Sequence, residues 1–338
     1  MGKNKIAVAL GGGVARGWAH IGVLKALIKA GIEPDIVVGT SIGAVVGGCY
    51  AAGKLDELED FACQLTRRKV FGFLDFNMSG SGLISGHRLC DAFDRHLEHV
   101  QIQNMPRRFV AVATELGTGH EVWLTRGRLV DAMRASYALP GIFRPVNING
   151  RWLADGALVN PIPVSAARAL GARTVIAVNL NGDVFGRGGT LIPDELDVEV
   201  TMLADARDSE PEISGSADAG PSQPNLEGRS AWKLLHRQFF GRSRSEPGIS
   251  SVMLDAFNVV NDRIARARLM GDPPDYLICP KLGQFGLFEF HRAKEMIPAG
   301  QEIAERDIAG FRIPGMKPAP APVAGKAKPG TALVPVGA

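Results

Sequence analysis

The stretch Asp35–Cys49, DIVVGTSIGAVVGGC, admits few structures. Its apolar, β-branched run Ile36–Val38 has the character of a buried strand, and from about Ile42 small apolar residues suit a tightly packed helix. The two meet at Gly39-Thr-Ser-Ile-Gly43. A G-x-S-x-G frame between strand and helix lets a serine occupy a sharp, strained turn with its hydroxyl clear of the sheet end. Gly39 and Gly43 are needed because side chains two residues either side would collide with neighbouring backbone. The helix start behind Ser41 favours negative charge developing there. Ser41 is therefore a candidate nucleophile. The plain alternative is a glycine-rich turn with an exposed serine.

A second glycine loop lies upstream. Lys5–Leu10 (KIAVAL) reads as a buried parallel strand, interrupted by Gly11-Gly-Gly-Val-Ala-Arg-Gly17 and followed by an amphipathic helix, Trp18–Ala30, closed by Gly31. The order strand, glycine loop, helix, strand, elbow, helix is a right-handed parallel α/β unit with both loops at one sheet edge, where open α/β sheets bind ligands. The loop lacks the Lys-Ser/Thr of a P-loop, and Arg16 stands where a dinucleotide fingerprint needs its third glycine. Consecutive glycine N–H groups with a helix start behind them can instead form an oxyanion hole. A tight strand–helix turn would use one or two glycines rather than three.

The expected elements continue as a charged helix over Leu55–Val70, whose basic end Arg67-Arg-Lys69 complements the helix dipole. A loop over Met78–Gly86 and a helix over His87–Leu97 follow. Two strands, Phe109–Thr114 and Glu121–Thr125, flank the turn Gly117-Thr-Gly119, and a helix over Leu129–Ala138 stops at Pro140-Gly141. Asn149-Gly150 signals a hairpin leading into Trp152–Ala157. A helix over Val164–Leu170 and a buried strand over Thr174–Asn179 complete a core expected to span residues 1–182. Acidic, Gly, Ser and Pro residues then mark an insert or lid over 183–248. Within it Asp208–Pro224 reads as disordered or a long mobile loop, and Ala231–Phe240 as a lid, packing or membrane-surface helix. Residues 249–312, with a helix over Ile249–Leu269, a strand over Tyr276–Pro280 and a helix around Phe290–Ile297, should complete the same domain. The tail 313–338 reads as unstructured.

Composition excludes several classes. With 46% hydrophobic and 22% charged residues the chain is an ordinary globular one, and a net charge of +3 gives no reason to expect a nucleic-acid partner. Cys49, Cys63, Cys90 and Cys279 are far apart, which suggests neither a zinc site nor a disulfide framework. No apolar run approaches the roughly 20 residues of a membrane span. The apolar stretch after Met1-Gly-Lys-Asn-Lys is too short for a signal peptide, and Ile6 stands where a myristoylation signal needs Ser or Thr. The expectation is a cytoplasmic protein that needs no metal or cofactor.

A nucleophilic serine needs a base. Of His20, His87, His96, His99, His120, His236 and His291, only His236 and His291 come late enough for an α/β-hydrolase triad, and neither has a distinctive context. His20 falls on the first helix and reads as a capping or packing residue. Asp155, at a strand end in Asp155-Gly-Ala157 within an otherwise apolar stretch, does stand out. It is either a turn aspartate bonded to its own backbone or, if burial raises its pKa, a base for a serine within reach.

Four pieces in order, Gly11-Gly-Gly-Val-Ala-Arg-Gly17 with Ala19-His-Ile-Gly-Val-Leu24, Gly39-Thr-Ser-Ile-Gly-Ala44, Ala135-Ser-Tyr-Ala-Leu-Pro-Gly-Ile-Phe143 and Asp155-Gly-Ala-Leu-Val-Asn-Pro161, resemble the patatin-like phospholipases. The likeness is closest to the bacterial branch similar to neuropathy target esterase, and it covers roughly residues 5–180. It implies a patatin-like three-layer α/β fold, with a mainly parallel central sheet and helices on both faces. It also implies a Ser41–Asp155 dyad, with Ser41 as nucleophile and Asp155 as general base. The amides of Gly11–Val14 would line the oxyanion hole, and Arg16 would hold that loop or an anionic head group. Val14 stands where relatives commonly carry glycine, and Ala157 where the dyad motif has a second glycine. The implied substrate is a lipid acyl ester, of (lyso)phospholipid type, met at a peripheral membrane surface through the insert or apolar loops near the elbow such as Phe71–Phe76 and Leu139–Phe143. Phe71–Phe76 reads by default as core or satellite packing. An acyltransferase or thioesterase using the same dyad, or a lipid-binding regulator, are the alternatives.

Overall fold

Alternating apolar runs and amphipathic segments give one large sheet covered on both faces. The computed structural model describes residues 5–73, 82–84, 87–97, 99–182 and 249–314. The chain divides into two units, Met1–Gly186 with Val259–Ala338, and Arg187–Asn258. Of the second unit, only the start of a helix from Ile249 is described.

The strands in chain order are β1 (Ile6–Leu10), β2 (Ile36–Thr40), β3 (Gly82–Ile84), β4 (Arg108–Glu115), β5 (Glu121–Leu124), β6 (Gly141–Phe143), β7 (Val146–Ile148), β8 (Arg151–Asp155), β9 (Thr174–Val178) and β10 (Tyr276–Ile278). The main sheet runs β10-β9-β1-β2-β4-β8-β7, with β5 also on β4, while β3 pairs with β6 separately. Strands β10, β9, β1, β2 and β4 are mutually parallel, and β5, β7 and β8 add antiparallel pairings. The turn between β7 and β8 places Asn149 and Gly150 at φ 52° and 81°, the two left-handed residues of a tight hairpin.

The helices are α1 (Ala19–Lys29), α2 (Ile42–Ala51), α3 (Leu55–Cys63), α4 (Arg67–Phe73), α5 (His87–Leu97), α6 (Leu129–Ser136), α7 (Val164–Ala169), α8 (Ile249–Gly271) and α9 (Ala293–Ile308). Strand alternation distributes them. Val8 and Leu10 of β1 join the larger core with α1, α2, α6 and α9, and Ala7 and Ala9 join a second core with α7 and Ala265 of α8. None of the described helices is long and apolar enough to cross a membrane.

Three expectations need correction. The helix read over Leu55–Val70 is two helices, because the chain tightens after α3 through bonds from the amides of Gln64 and Leu65 to Phe61 and Ala62. Thr66 then caps α4, its Oγ1 accepting the Lys69 amide at 3.2 Å. Arg67-Arg-Lys69 therefore opens a helix instead of closing one. The final helix begins later than Phe290 and continues past Pro298 to Ile308, its apolar face held in the core by Met296, Ile297, Ala304 and Ile308. The span read as a loop from Met78 contains β3. The expectations for Asp208–Pro224, Ala231–Phe240 and the tail beyond Pro314 lie outside the described residues.

Strand β4 receives the ends of both strands that carry the candidate site. Residues Ala111 and Val112 of β4 pair with β2 on one edge and β5 on the other, and Ala113 and Thr114 pair with β5 and β8. Strands β2 and β8 therefore share one edge of β4 and meet on it tip to tip. Thr40 lies opposite Val112, and Asp155 opposite the next residue, Ala113.

Candidate active site

Ser41 follows the last residue of β2 and precedes α2 at φ 56°, ψ −126°. A non-glycine residue held there stores roughly 1–3 kcal/mol of strain, so the surroundings must over-determine it. They do so sterically and by hydrogen bonds. A Cβ on Gly39 would lie 2.3 Å from the Gly43 carbonyl oxygen, and one on Gly43 would lie 2.2 Å from that of Leu10. The Ser41 amide donates to Ser136 Oγ at 2.9 Å, and Ser136 donates to the Val112 carbonyl at 2.6 Å. Ser136 thus occupies the gap in the β4 ladder where β2 has ended. Thr40 Oγ1 donates to the Asn160 carbonyl at 2.8 Å, tying the elbow to the segment after β8.

Asp155 enters from the facing strand tip. Ser41 Oγ donates to its Oδ2 at 2.7 Å, and the Ala157 amide donates to its Oδ1 at 2.8 Å. Its backbone is held on both sides, the carbonyl accepting from Thr114 Oγ1 and the amide donating to Ala138. Burial pushes its carboxyl up to about 6, against the pull of the bonds from Ala157 and Ser41. A carboxylate poised there is ionised at neutral pH yet basic enough to take a proton.

The histidines whose side chains are described are elsewhere. His20 is buried and its Nε2 lies 2.8 Å from the Gly11 carbonyl, while Nδ1 has no partner among the described residues. Burial pushes His20 down to about 4, so it is neutral beneath the glycine loop. His291 Nε2 accepts from Arg67 Nε, His120 faces Glu115, and His99 is exposed. The side chains of His87 and His96, and all of His236, lie outside the described ones.

The glycine loop lies against the elbow: a Cβ on Gly12 would be 3.5 Å from that of Ser41. The Gly11 amide is used by the Val178 carbonyl and the Gly12 amide by that of Pro161. The Gly13 and Val14 amides open the 3₁₀ turn Val14–Trp18 and have no acceptor among the described residues, as expected at a helical start. Arg16 is buried, donating from Nε to the Phe285 carbonyl and from Nη1 to Asn181 Oδ1. It braces the loop against two later segments. Val14 sits at φ 51°, costly for a β-branched side chain. Val14→Gly should therefore raise stability by about 1 kcal/mol, read as a higher urea midpoint at unchanged m. A lower midpoint would mean that the valine contributes more by packing than its backbone costs.

Ser41 and Asp155 face a cavity of about 120 Å³, and every other described side chain lining it is apolar or aromatic, Trp18, Ile42, Phe73, Tyr137, Ile142 and Phe290 among them. Sequence reasoning named Leu139–Phe143 as an apolar loop near the elbow, and Leu139, Ile142 and Phe143 do line this cavity. It read Phe71–Phe76 as packing by default; Phe73 lines the cavity, the Phe71 side chain lies outside the described ones, and Leu74–Phe76 lie outside the described residues. It missed Ser136, although that residue lies in the quoted Ala135–Phe143 piece, and it missed the wall from Phe288 and Phe290. A lone Ser-Tyr and scattered phenylalanines carry no periodic signal that would have singled them out.

A family model described as Patatin-like phospholipase matches residues 8–168. Uncharacterized NTE family proteins of Mycobacterium tuberculosis and Mycobacterium bovis are 32% identical over 345 residues, covering 95% of this chain and 96% of theirs. The chain belongs to the NTE family of patatin-like proteins. Patatin-like phospholipase domain-containing protein 6 of Homo sapiens is 34% identical over 184 residues, 52% of this chain and 13% of that protein. Among solved structures, VipD from Legionella pneumophila superposes with a TM-score of 0.41 at 12% identity, over 90% of this chain and 66% of that one. Membership of the NTE family supports a lipid hydrolase function. The mixed α/β architecture with helices on both faces of the sheet is as the sequence resemblance implies.

Proposed function

We propose that the protein is a serine esterase of lipid acyl chains, of phospholipase A or lysophospholipase type, working through a Ser41–Asp155 dyad. The observation that carries this reading is the 2.7 Å bond from Ser41 Oγ to a buried Asp155 carboxylate, at an apolar cavity. Ser41 Oγ attacks the ester carbonyl carbon as its proton passes to Asp155 Oδ2. The negative charge that develops on the carbonyl oxygen is met by the Gly13 and Val14 amides; those of Gly11 and Gly12 are already engaged in the sheet edge. Collapse expels the alcohol, which takes the proton back from Asp155 and leaves an acyl-enzyme on Ser41. A water then gives its proton to Asp155 and attacks the acyl carbon, and the fatty acid leaves as Ser41 is reprotonated. The apolar cavity takes the acyl chain, and the described residues of its lining supply no cation that would hold a polar group inside.

The deciding experiment is intact mass after incubation with a fluorophosphonate. One adduct on the wild type, absent in Ser41→Ala and strongly slowed in Asp155→Asn, is the expected result. Equal labelling of all three would overturn the dyad. No adduct on folded wild type, with or without lipid vesicles, would overturn the esterase reading itself.

A further inference from the structure

The cavity has a polar rim on one side that the chemistry at Ser41 does not use. Val70 of α4 lines the cavity together with Phe73, and Arg67 lies three residues before Val70. Residues three apart share a helix face, so Arg67 extends the cavity-facing row of α4 outward by one turn. On the facing segment Phe290 lines the cavity, its ring edge-on to Trp18 at 6.1 Å, and His291 is the next residue. The two rows meet where Arg67 Nε donates to His291 Nε2 at 3.2 Å.

This pair is unusual in its charge. Arg67 makes no ion pair among the described residues, whereas its cationic neighbour Arg292 is matched by Glu289 and Glu295. Arg67 is exposed, and Arg68 and Lys69 beside it are exposed as well. His291 is held below the ordinary histidine range, first by partial burial and then by the Arg67 guanidinium, with Glu289 opposing. A neutral imidazole that accepts at Nε2 carries its hydrogen on Nδ1. The rim therefore offers the two Nη groups of a guanidinium and one imidazole N–H, all donors, with no carboxylate among the described residues paired to that guanidinium. A phosphate oxyanion matches such a donor set, and arginine binds it through a planar fork.

We infer that Arg67 and His291 form a subsite for the phosphate of a phospholipid head group whose acyl chain occupies the cavity. The inference rests on the esterase reading and makes it more specific: the apolar cavity selects the chain, and the rim selects a phosphate-bearing alcohol over an uncharged one. Free phosphate shares the same oxyanion chemistry but lacks the chain, so it should compete weakly.

The test compares kcat/KM for a lysophosphatidylcholine and for the monoacylglycerol of the same chain length. Wild type should favour the former. In Arg67→Ala the ratio of the two should fall by about 10–100-fold, the range expected for loss of hydrogen bonds to a charged group, carried mainly by KM. His291→Ala should lower it less, and Arg67→Lys should recover part of it, since a point charge replaces the fork. A purely structural role would lower both substrates in proportion and leave the ratio unchanged, which would overturn the subsite. An Arg67-dependent response to millimolar inorganic phosphate without any substrate preference would assign the pair to free phosphate and also overturn it. Binding to Ser41→Ala separates this from failure of the esterase reading, because no turnover is needed. Intrinsic fluorescence, to which Trp18 in the cavity wall contributes, should report tighter binding of dodecylphosphocholine than of dodecyl maltoside. Arg67→Ala in that background should remove the difference; a difference that persists there would sink the subsite.

Discussion

Asp155→Asn is expected to lower kcat by about 10²–10⁴-fold, the usual contribution of a positioned general base. An asparagine keeps the shape, can accept the Ala157 amide and can hydrogen-bond Ser41 Oγ, but it cannot take a proton at neutral pH. In the wild type kcat/KM should fall about tenfold per pH unit below about 6, where Asp155 protonates, and this acid limb should be absent from the residual rate of the variant. Stability should move the other way. The folded state holds Asp155 protonated up to about 6, whereas the unfolded chain ionises it near 3.8. Its burial therefore costs stability above pH 6, on the order of 3 kcal/mol, and this cost fades as pH falls toward 4. Asp155→Asn should accordingly melt higher than wild type at pH 7.5. Near-normal turnover in a well-folded variant would remove Asp155 from the mechanism.

His20 titrates across the same interval with the opposite sign. Buried and neutral down to about 4, it must be charged in the unfolded chain below 6.5, so it withdraws stability on acidification. In the wild type the two groups offset each other. Asp155→Asn removes one of them, so its higher melting temperature should shrink steeply between pH 6.5 and 4, a trend that differential scanning calorimetry at several pH values would read directly.

Gly43→Ala is the second substitution with a large expected effect. The new Cβ would stand 2.2 Å from the Leu10 carbonyl oxygen and 2.8 Å from that of Gly11, both backbone atoms of the strand and loop beside the elbow. Neither can rotate away. Either α2 lifts from the sheet or the glycine loop shifts, and both movements separate the Gly13 and Val14 amides from Ser41. A loss of about 3 kcal/mol or more in urea denaturation is expected, together with loss of fluorophosphonate labelling. Gly12→Ala is the comparison. Its Cβ would meet the Ala157 and Ser41 Cβ atoms at an ordinary 3.5 Å, so the fold should keep most of its stability. Equal unfolding of the two variants would show that contact distance at these glycines does not govern the elbow.

The local elements were legible because their signals are local. Ile36–Val38 followed by Gly39-Thr-Ser-Ile-Gly43 specifies strand, turn and helix within a few residues, and Asn149-Gly150 specifies its hairpin. The break between α3 and α4 was not legible, because the charged periodicity of Leu55–Val70 continues across Thr66 and conceals a cap that forms only once Leu65 turns into the core. The end of α9 was hidden by Pro298, a residue that usually stops a helix. In the site, the motifs singled out Ser41 and Asp155, but the contact between them is a matter of register, and no residue spacing encodes which edge of β4 receives β8. The engagement of the Gly12 amide was likewise hidden, since its acceptor, Pro161, lies far along the chain. Arg67 read as a helix-ending charge for the same reason that the break at Thr66 was missed.

Strand β4 works as a ruler for this site. Ser41 and Asp155 lie 114 residues apart in sequence, and β4, which falls between them in the chain, is the element that brings them together. Each is set by where its own strand stops along one shared edge, opposite Val112 for the elbow and opposite Ala113 for the aspartate. Lengthening or shortening the segments that join β2 to β4, or β5 to β7, leaves those two marks in place so long as α2, Ser136 and Ala138 keep their positions. The surface around the cavity can therefore be remodelled without disturbing the bond from Ser41 to Asp155. One residue added between Val112 and Ala113 would instead move one mark by about 3.3 Å, which exceeds the length of the bond between serine and carboxylate. Evolvability and fragility in this fold lie a few residues apart on the same strand.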